Sequence, residues 1–225
     1  MQPMTSTARR PTGRPARAYD STRRTRQAAQ TREEVLTAAV ALFNEQGWAA
    51  TKLADIAARA GVAVETIYSG FGSKKGLLRA AMDVAIVGDA EPVPFSEREE
   101  FLQLGRGPLA ARLRAAAAVT AEIHERSSGV WHAIVVAATA DAEVETWRAQ
   151  LERGRRAQIG ESLELIVGHP IDARLTDGCW ALYSPEVYTQ LTRDAGWNRA
   201  EYERWLTDAT ARLLGLEPVE PVEPV

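Results

Sequence analysis

The chain has 225 residues, enough for one large domain or two small ones with a buried core. It is 45% hydrophobic and 25% charged, ordinary for a soluble globular protein, and no apolar run approaches the ~20 residues of a membrane span. The net charge of −3 hides an asymmetry: residues 1–88 carry 13 Lys+Arg against 7 Asp+Glu, a net +6, and residues 89–225 carry 14 against 23, a net −9. A basic first third on an acidic body suggests a polyanion-binding module joined to a region with another task, although chance imbalance on solvated faces gives the same totals. The one cysteine, Cys179, has no internal disulfide partner, which fits a reducing compartment and a cytoplasmic location. No secretory core follows the start, and residues 1–26 lack the apolar stripe of a transit peptide.

Residues 1–28 hold Pro3, Pro11, Gly13, Pro15 and seven arginines, and read as a flexible basic arm. Thr31 with Glu34 forms a capping box for a first helix, whose Val35, Leu36, Ala39, Leu42 and Phe43 share one face. Gly47 stops it. Thr51 is placed to cap a second helix with Leu53, Ile56, Ala57 and Ala60 inward, broken by Gly61. A third, short helix is expected from about Ala63 to Ser69. Ser73 caps a fourth, Lys74 to about Val87, and Gly88 to Pro94 reads as a connector.

From Ser96 onward only helical periods occur. Pro108 suits the start of a helix from Leu109 to Glu125, and the apolar Val130 to Thr139 reads as a second, buried one. Asp141 caps a long helix to about Val167, and Asp172 to Tyr183 follows. Ser184-Pro185 opens a helix to Ala195, and the Asn198–Glu201 capping box opens the last, to about Leu214. Three Glu-Pro-Val repeats, Glu217 to Val225, read as a disordered tail.

Leu53 to Gly70 has the form of a helix-turn-helix, with Gly61 supplying the turn. On a helical wheel Ala63, Ile67 and Phe71 fall together, inward; Glu65 and Ser69 fall opposite, flanked by Thr66 and Tyr68. A narrow polar face edged by hydroxyls suits a DNA major groove; an ordinary amphipathic turn has the same pattern. Residues 31–78 resemble the DNA-binding domain of the tetracycline-repressor-like (TetR) family of bacterial regulators. The matching residues are Ala39 and Phe43 before Gly47, then Thr51, Ile56, Ala57, Ala60, Gly61 and Val62. Thr66, Ile67, Tyr68, Phe71, Ser73, Lys74, Leu77 and Leu78 complete the match. The resemblance implies phosphate contacts from Thr51, Thr66, Tyr68 and Lys74, the last at a helix N-terminus that attracts anions. The expected DNA-facing set is Thr51, Val64, Glu65, Thr66, Tyr68, Ser69, Lys74 and Lys75. Arg14 joins it from the arm, in a Gly-Arg-Pro step slim enough for a minor groove. Ala63 departs from the family, which often has a capping Ser or Thr there.

Trp180 to Leu214 is similar to one TetR branch, through Trp180 to Tyr188, Gly196-Trp197, Tyr202 and Trp205-Leu206. There these helices belong to the regulatory domain and help form a homodimer, which implies a near-palindromic double-stranded operator. Residues 89–170 are where the resemblance puts a pocket for a small-molecule effector. Trp131, Trp147 and Trp180 lie on apolar faces and, with Tyr183, are candidate pocket walls; plain core is the other reading. His124, His132 and His169 lack metal-ligand spacing and read as satisfied or surface residues, Cys179 reads as inert core, and no cofactor is expected.

The expected architecture is therefore all-α. It has a disordered arm (1–28), a three-helix helix-turn-helix DNA-binding domain with its connecting fourth helix (29–88), a helical-bundle effector-binding and dimerisation domain (89–216) and a disordered tail (217–225). The expected function is a DNA-binding transcriptional regulator, a repressor released from its operator by a small apolar ligand. One alternative is a ligand-independent helix-turn-helix or architectural protein. Another is an all-helical enzyme, for which no catalytic constellation is visible. A hollow second domain favours the first reading and a solid one the second.

Overall fold

A computed structural model describes residues 16–89 and 97–216. Arg14, most of the Gly88–Pro94 connector and the Glu-Pro-Val tail lie outside the described residues. Within them all regular structure is helical.

The first helix, α1 (Ala16–Ala50), is interrupted at Gly47, whose φ of 70° and ψ of −171° leave helical space. It starts at Ala16, not at Thr31, so residues 16–28 are helical and not the flexible arm expected of them. No Gly or Pro occurs between residues 16 and 30, and Ala, Arg and Gln there favour a helix; the run of arginines concealed an unbroken segment. Val35, Leu36, Ala39, Leu42 and Phe43 are buried, on the face their spacing predicts. α2 (Leu53–Ala60) turns into α3 (Val64–Phe71) at Gly61, which is left-handed (φ 68°, ψ 28°), as only Gly does without strain. The Val62 N–H donates to the Ala57 carbonyl at 3.0 Å and closes the turn. α4 (Lys74–Val87) is capped by Ser73, whose Oγ accepts from the Gly76 N–H at 3.1 Å.

A short α5 (Glu99–Leu102) and a 3₁₀ turn, Gln103–Gly105, precede α6 (Leu109–Ala138). α6 is one 30-residue helix where the sequence suggested two. The Ser127-Ser128-Gly129 stretch, which falls between the two expected helices, is a packing seam. A Cβ on Gly129 would sit 2.6 Å from the Asn44 Cα, so Gly lets α1 and α6 touch backbone to backbone. Asn44 stitches them by donating to the Arg126 carbonyl (2.9 Å) and accepting from the Val130 N–H (3.0 Å). α7 (Ala142–Val167) is capped by Asp141 and α8 (Ala173–Leu182) by Asp172. α9 (Pro185–Thr189) is capped by Ser184 and runs into a wide π-helical turn, Gln190–Asp194. α10 (Arg199–Leu213) starts at the Asn198–Glu201 capping box.

α6 is the hub, packed on α1, α4, α7, α9 and α10. One hydrophobic cluster joins α1 to α4 with Val130, Trp131 and Ile134 of α6 and Val144 of α7. The helix-turn-helix region and the bundle therefore share a core. Two further clusters lie in the bundle, one around Cys179, Tyr183, Tyr202 and Leu206, the other around Phe101, Leu113 and Ile166.

Candidate functional site

Two features stand out, an exposed polar helix face and an internal cavity, and α4 touches both regions. On α3, Ile67 is fully buried and anchors the helix. Glu65, Tyr68 and Ser69 face solvent, with Tyr68 54% exposed, and Thr66 is half-buried at their edge. The Ser69 hydroxyl donates to the Thr66 carbonyl at 3.0 Å. Val64, expected among the DNA-facing residues, is half-buried against the core cluster, because it lies one turn before the buried Ile67 on the inner flank of the helix. The Arg32 guanidinium lies 4.5 Å above the Phe71 ring and sets α1 against the end of α3.

Three other expected contacts are spent inside the molecule. Thr51 is buried, and its hydroxyl donates its one proton at the break in α1, with the Gly47 carbonyl at 2.7 Å and the Leu42 carbonyl at 3.1 Å. It does not cap α2, whose N-cap is Lys52. The Lys74 ammonium donates to the Trp48 carbonyl and sits 4.0 Å over the Trp48 ring, and its burial holds its pKa below the ordinary lysine value. Lys75 points away from α3, toward the start of α7, bridging Asp141 at 2.9 Å and Glu143 at 3.0 Å. This raises the Lys75 pKa and lowers that of Asp141. Arg79 adds a contact to Glu143 at 3.1 Å. At the other end of α4 the Arg126 guanidinium donates to the Ala85 and Ile86 carbonyls, both at 3.2 Å. α4 is thus tied to α7 at its start and to α6 at its end.

Behind α4 lies a cavity of about 550 Å³ between α4, α6, α7 and the turn from α8 to α9. Met82 and Ile86 of α4 form one wall, and Val119, Ile123 and Trp131 of α6 another. Trp147, Leu151, Ile159 and Leu163 of α7, with Tyr183, close it. Three of the four expected pocket residues, Trp131, Trp147 and Tyr183, are therefore lining residues. Trp180 is not: its indole N–H donates to Glu152 at 3.2 Å, and the Arg155 guanidinium covers its ring at 5.1 Å, so it packs behind the wall.

The polar lining was not foreseen. His124, Ser127, Arg155 and Gln158 all face the cavity. The inward stripe of α7, Leu151, Arg155, Gln158 and Ser162 at i, i+4, i+7 and i+11, is a sequence signal that marks a polar-lined space and not a dry core. His124 Nε2 lies 3.0 Å from the Tyr183 carbonyl oxygen. Arg155 donates to the same carbonyl (3.2 Å), to the Trp180 carbonyl (2.8 Å) and to Glu152 (2.8 Å). Burial, with the Arg155 charge beside it, pushes the His124 pKa down to about 4, so the ring is neutral. His124 Nδ1, Arg155 Nε and Gln158 Nε2 are buried without a hydrogen-bond partner. Burial pushes the Cys179 thiol up to about 11, which keeps it unreactive. Among the described residues no group of three or more His, Cys, Asp or Glu could hold a metal ion, and no helix is long and apolar enough to cross a membrane.

Residues 35–81 match the family model for bacterial regulatory proteins, tetR family. No curated protein matches the chain. Among solved structures, a Rhodococcus sp. protein described as a TetR-family transcriptional regulator superposes with a TM-score of 0.63 at 16% identity, covering 82% of this chain and 98% of that one. The TetR-like regulator LfrR from Mycobacterium smegmatis, solved in complex with proflavine, gives 0.55 at 20% identity, covering 81% and 94%. A TetR-like regulator from Rhodococcus sp. RHA1 gives 0.52 at 17% identity, covering 82% and 96%. At these identities the likeness is one of fold, and it extends through the bundle as well as the helix-turn-helix.

Proposed function

We propose that this chain, whose residues 35–81 match the family model for bacterial regulatory proteins, tetR family, is a ligand-responsive transcriptional repressor. It reads a near-palindromic operator through α3 as a cytoplasmic homodimer, and a small, mostly apolar molecule in the cavity releases it. The observation that carries the ligand half is the cavity itself and its wall. Met82 and Ile86, on the helix that packs against α3, line it. A molecule that shifts those side chains shifts α4, and with it the angle of α3. A solid bundle would have favoured the ligand-independent reading; this bundle is hollow.

At the DNA, Glu65, Thr66, Tyr68 and Ser69 are the groups free to meet base edges and phosphates. A single eight-residue helix reads few bases, so two copies are needed for a useful site, with half-sites about 34–36 Å apart or a multiple of it. The dimer is proposed on α8 and α10. Leu206, which the sequence offered as a contact, is fully buried, so Leu206→Glu would unfold the bundle; Leu213, 39% exposed on α10 beside Gly178 of α8, is the better probe.

Selection of the wild-type chain on random duplexes tests this reading. A two-fold symmetric consensus is expected, Glu65→Gln changes the preferred bases, and Tyr68→Phe lowers affinity for all sequences alike. Leu213→Glu yields folded monomers without operator binding. No sequence preference at about 0.1 M salt would sink the proposal.

A further inference from the structure

Resting on the reading of the cavity as a ligand site, we infer that its ligand is a neutral, mostly apolar molecule carrying a hydroxyl or N–H group that donates to His124 Nδ1. The chemistry follows from one carbonyl. The Tyr183 carbonyl oxygen can only accept, so the His124 nitrogen 3.0 Å from it, Nε2, carries the ring's proton. The ring is neutral, as the burial and the neighbouring Arg155 require. Nδ1 is then a bare lone pair. His124 is only 5% exposed, lines the cavity, and Nδ1 has no partner. A buried acceptor without a donor is costly, and a ligand hydroxyl or N–H relieves it.

The same wall argues against an ion. The charge of Arg155 is balanced by Glu152 at 2.8 Å through Nη2, and Nη1 is turned to two backbone carbonyls. An anion finds no unpaired cation there, and a cation finds Arg155 beside it. What Arg155 and Gln158 offer are unfilled N–H donors, at Nε and Nε2, suited to neutral acceptors and not to a further cation. With Trp131 and Trp147 in the apolar walls, a hydroxylated aromatic compound of drug size matches the volume and the polar points.

Tryptophan-fluorescence titration of the full chain with three matched probes tests this: 4-phenylphenol, 4-methoxybiphenyl and biphenyl-4-carboxylate. The phenol is expected to bind about tenfold tighter than the ether, as one hydrogen bond to a buried acceptor gives. The carboxylate binds more weakly than the phenol. His124→Leu removes the ring acceptor, while Arg155 still donates to the Tyr183 carbonyl, so it brings the phenol down to the level of the ether, whose binding shows the cavity is intact. The phenol-to-ether ratio of the wild-type chain decides the matter even where the variant does not fold. An ether as tight as the phenol, a carboxylate tighter than both, or a preference that survives His124→Leu in folded protein would each overturn the inference and leave the cavity reading in place. No binding of any probe would overturn both.

Discussion

The helix-turn-helix region and the bundle behind it are built to different standards. In α1 to α4 the buried polar side chain among the described residues, Thr51, has backbone carbonyls in reach, so its hydroxyl is paired. Among the described residues, the buried side-chain nitrogens and oxygens left without a partner lie farther along the chain, at Arg112, His124, Arg155, Gln158 and Tyr202. The first region is a closed, satisfied core that holds α3 at a fixed angle. The second carries a void and unmet hydrogen bonds at its centre. A protein that only had to hold a helix against DNA would gain stability by filling that void. Leaving it open, on the far side of α4, makes the bundle the part that a molecule can change.

The largest expected effect lies in the bundle and depends on pH. His124 has its folded pKa depressed from the ordinary 6.5 to about 4, so between those values the unfolded chain binds a proton that the folded chain does not. Stability is complete above about pH 6.5 and falls as pH drops toward 4, by about 3 kcal/mol over the window at ~1.4 kcal/mol per unit. Arg155 beside the ring deepens the effect and Glu186 opposes it. Urea unfolding at pH 7 and pH 4.5 should show a smaller fall for His124→Gln than for the wild type. An equal fall would mean that the histidine is not buried in neutral form.

Two glycines sharpen the comparison because one substitution should have opposite signs. Gly129→Ala places a Cβ 2.6 Å from the Asn44 Cα, where backbone cannot give way cheaply, and should destabilise by about 1–3 kcal/mol. Gly154→Ala, on α7 at the cavity wall, meets nothing within 4 Å and should stabilise by about 1 kcal/mol, the ordinary gain from Gly to Ala inside a helix. Shifts of the urea midpoint in the same direction would show that the seam is as loose as the cavity.

The sequence made the helices legible wherever a cap or a period marked them. Ser73, Asp141, Asp172, Ser184 and Asn198 all cap the helices their spacing announced, and the buried face of α1 is the predicted one. It misread places where tertiary contact overrides local signals. Ser127-Ser128-Gly129 falls between the two expected helices, but Asn44, more than eighty residues earlier, supplies the reason for the glycine. In the site, the exposed face of α3 was legible from a wheel. The fates of Thr51, Lys74 and Lys75 were not, because their partners, Leu42, Trp48 and Asp141, are fixed by packing and not by spacing. The pocket's aromatic walls were visible; its polar points were not, since a histidine or arginine on a helix reads as a surface group until its neighbours enclose it.

The smallest expected effect is none, and it concerns Lys75. Lys75 is in the DNA-facing set expected from the sequence, where removing one phosphate contact lowers the slope of log affinity against log salt by about 0.9. In the folded chain its ammonium is held by Asp141 and Glu143 at the start of α7, on the bundle side of α4. Lys75→Ala should therefore leave the salt slope of operator binding unchanged. It removes instead a tie through which a shift in the bundle reaches α4, so a ligand in the cavity should release the operator from Lys75→Ala less completely than from the wild type. Glu143→Gln, which cannot touch DNA from α7, should weaken release in the same way. A slope reduced by about one in Lys75→Ala, with release intact in Glu143→Gln, would move Lys75 to the DNA and make its bridge to α7 incidental.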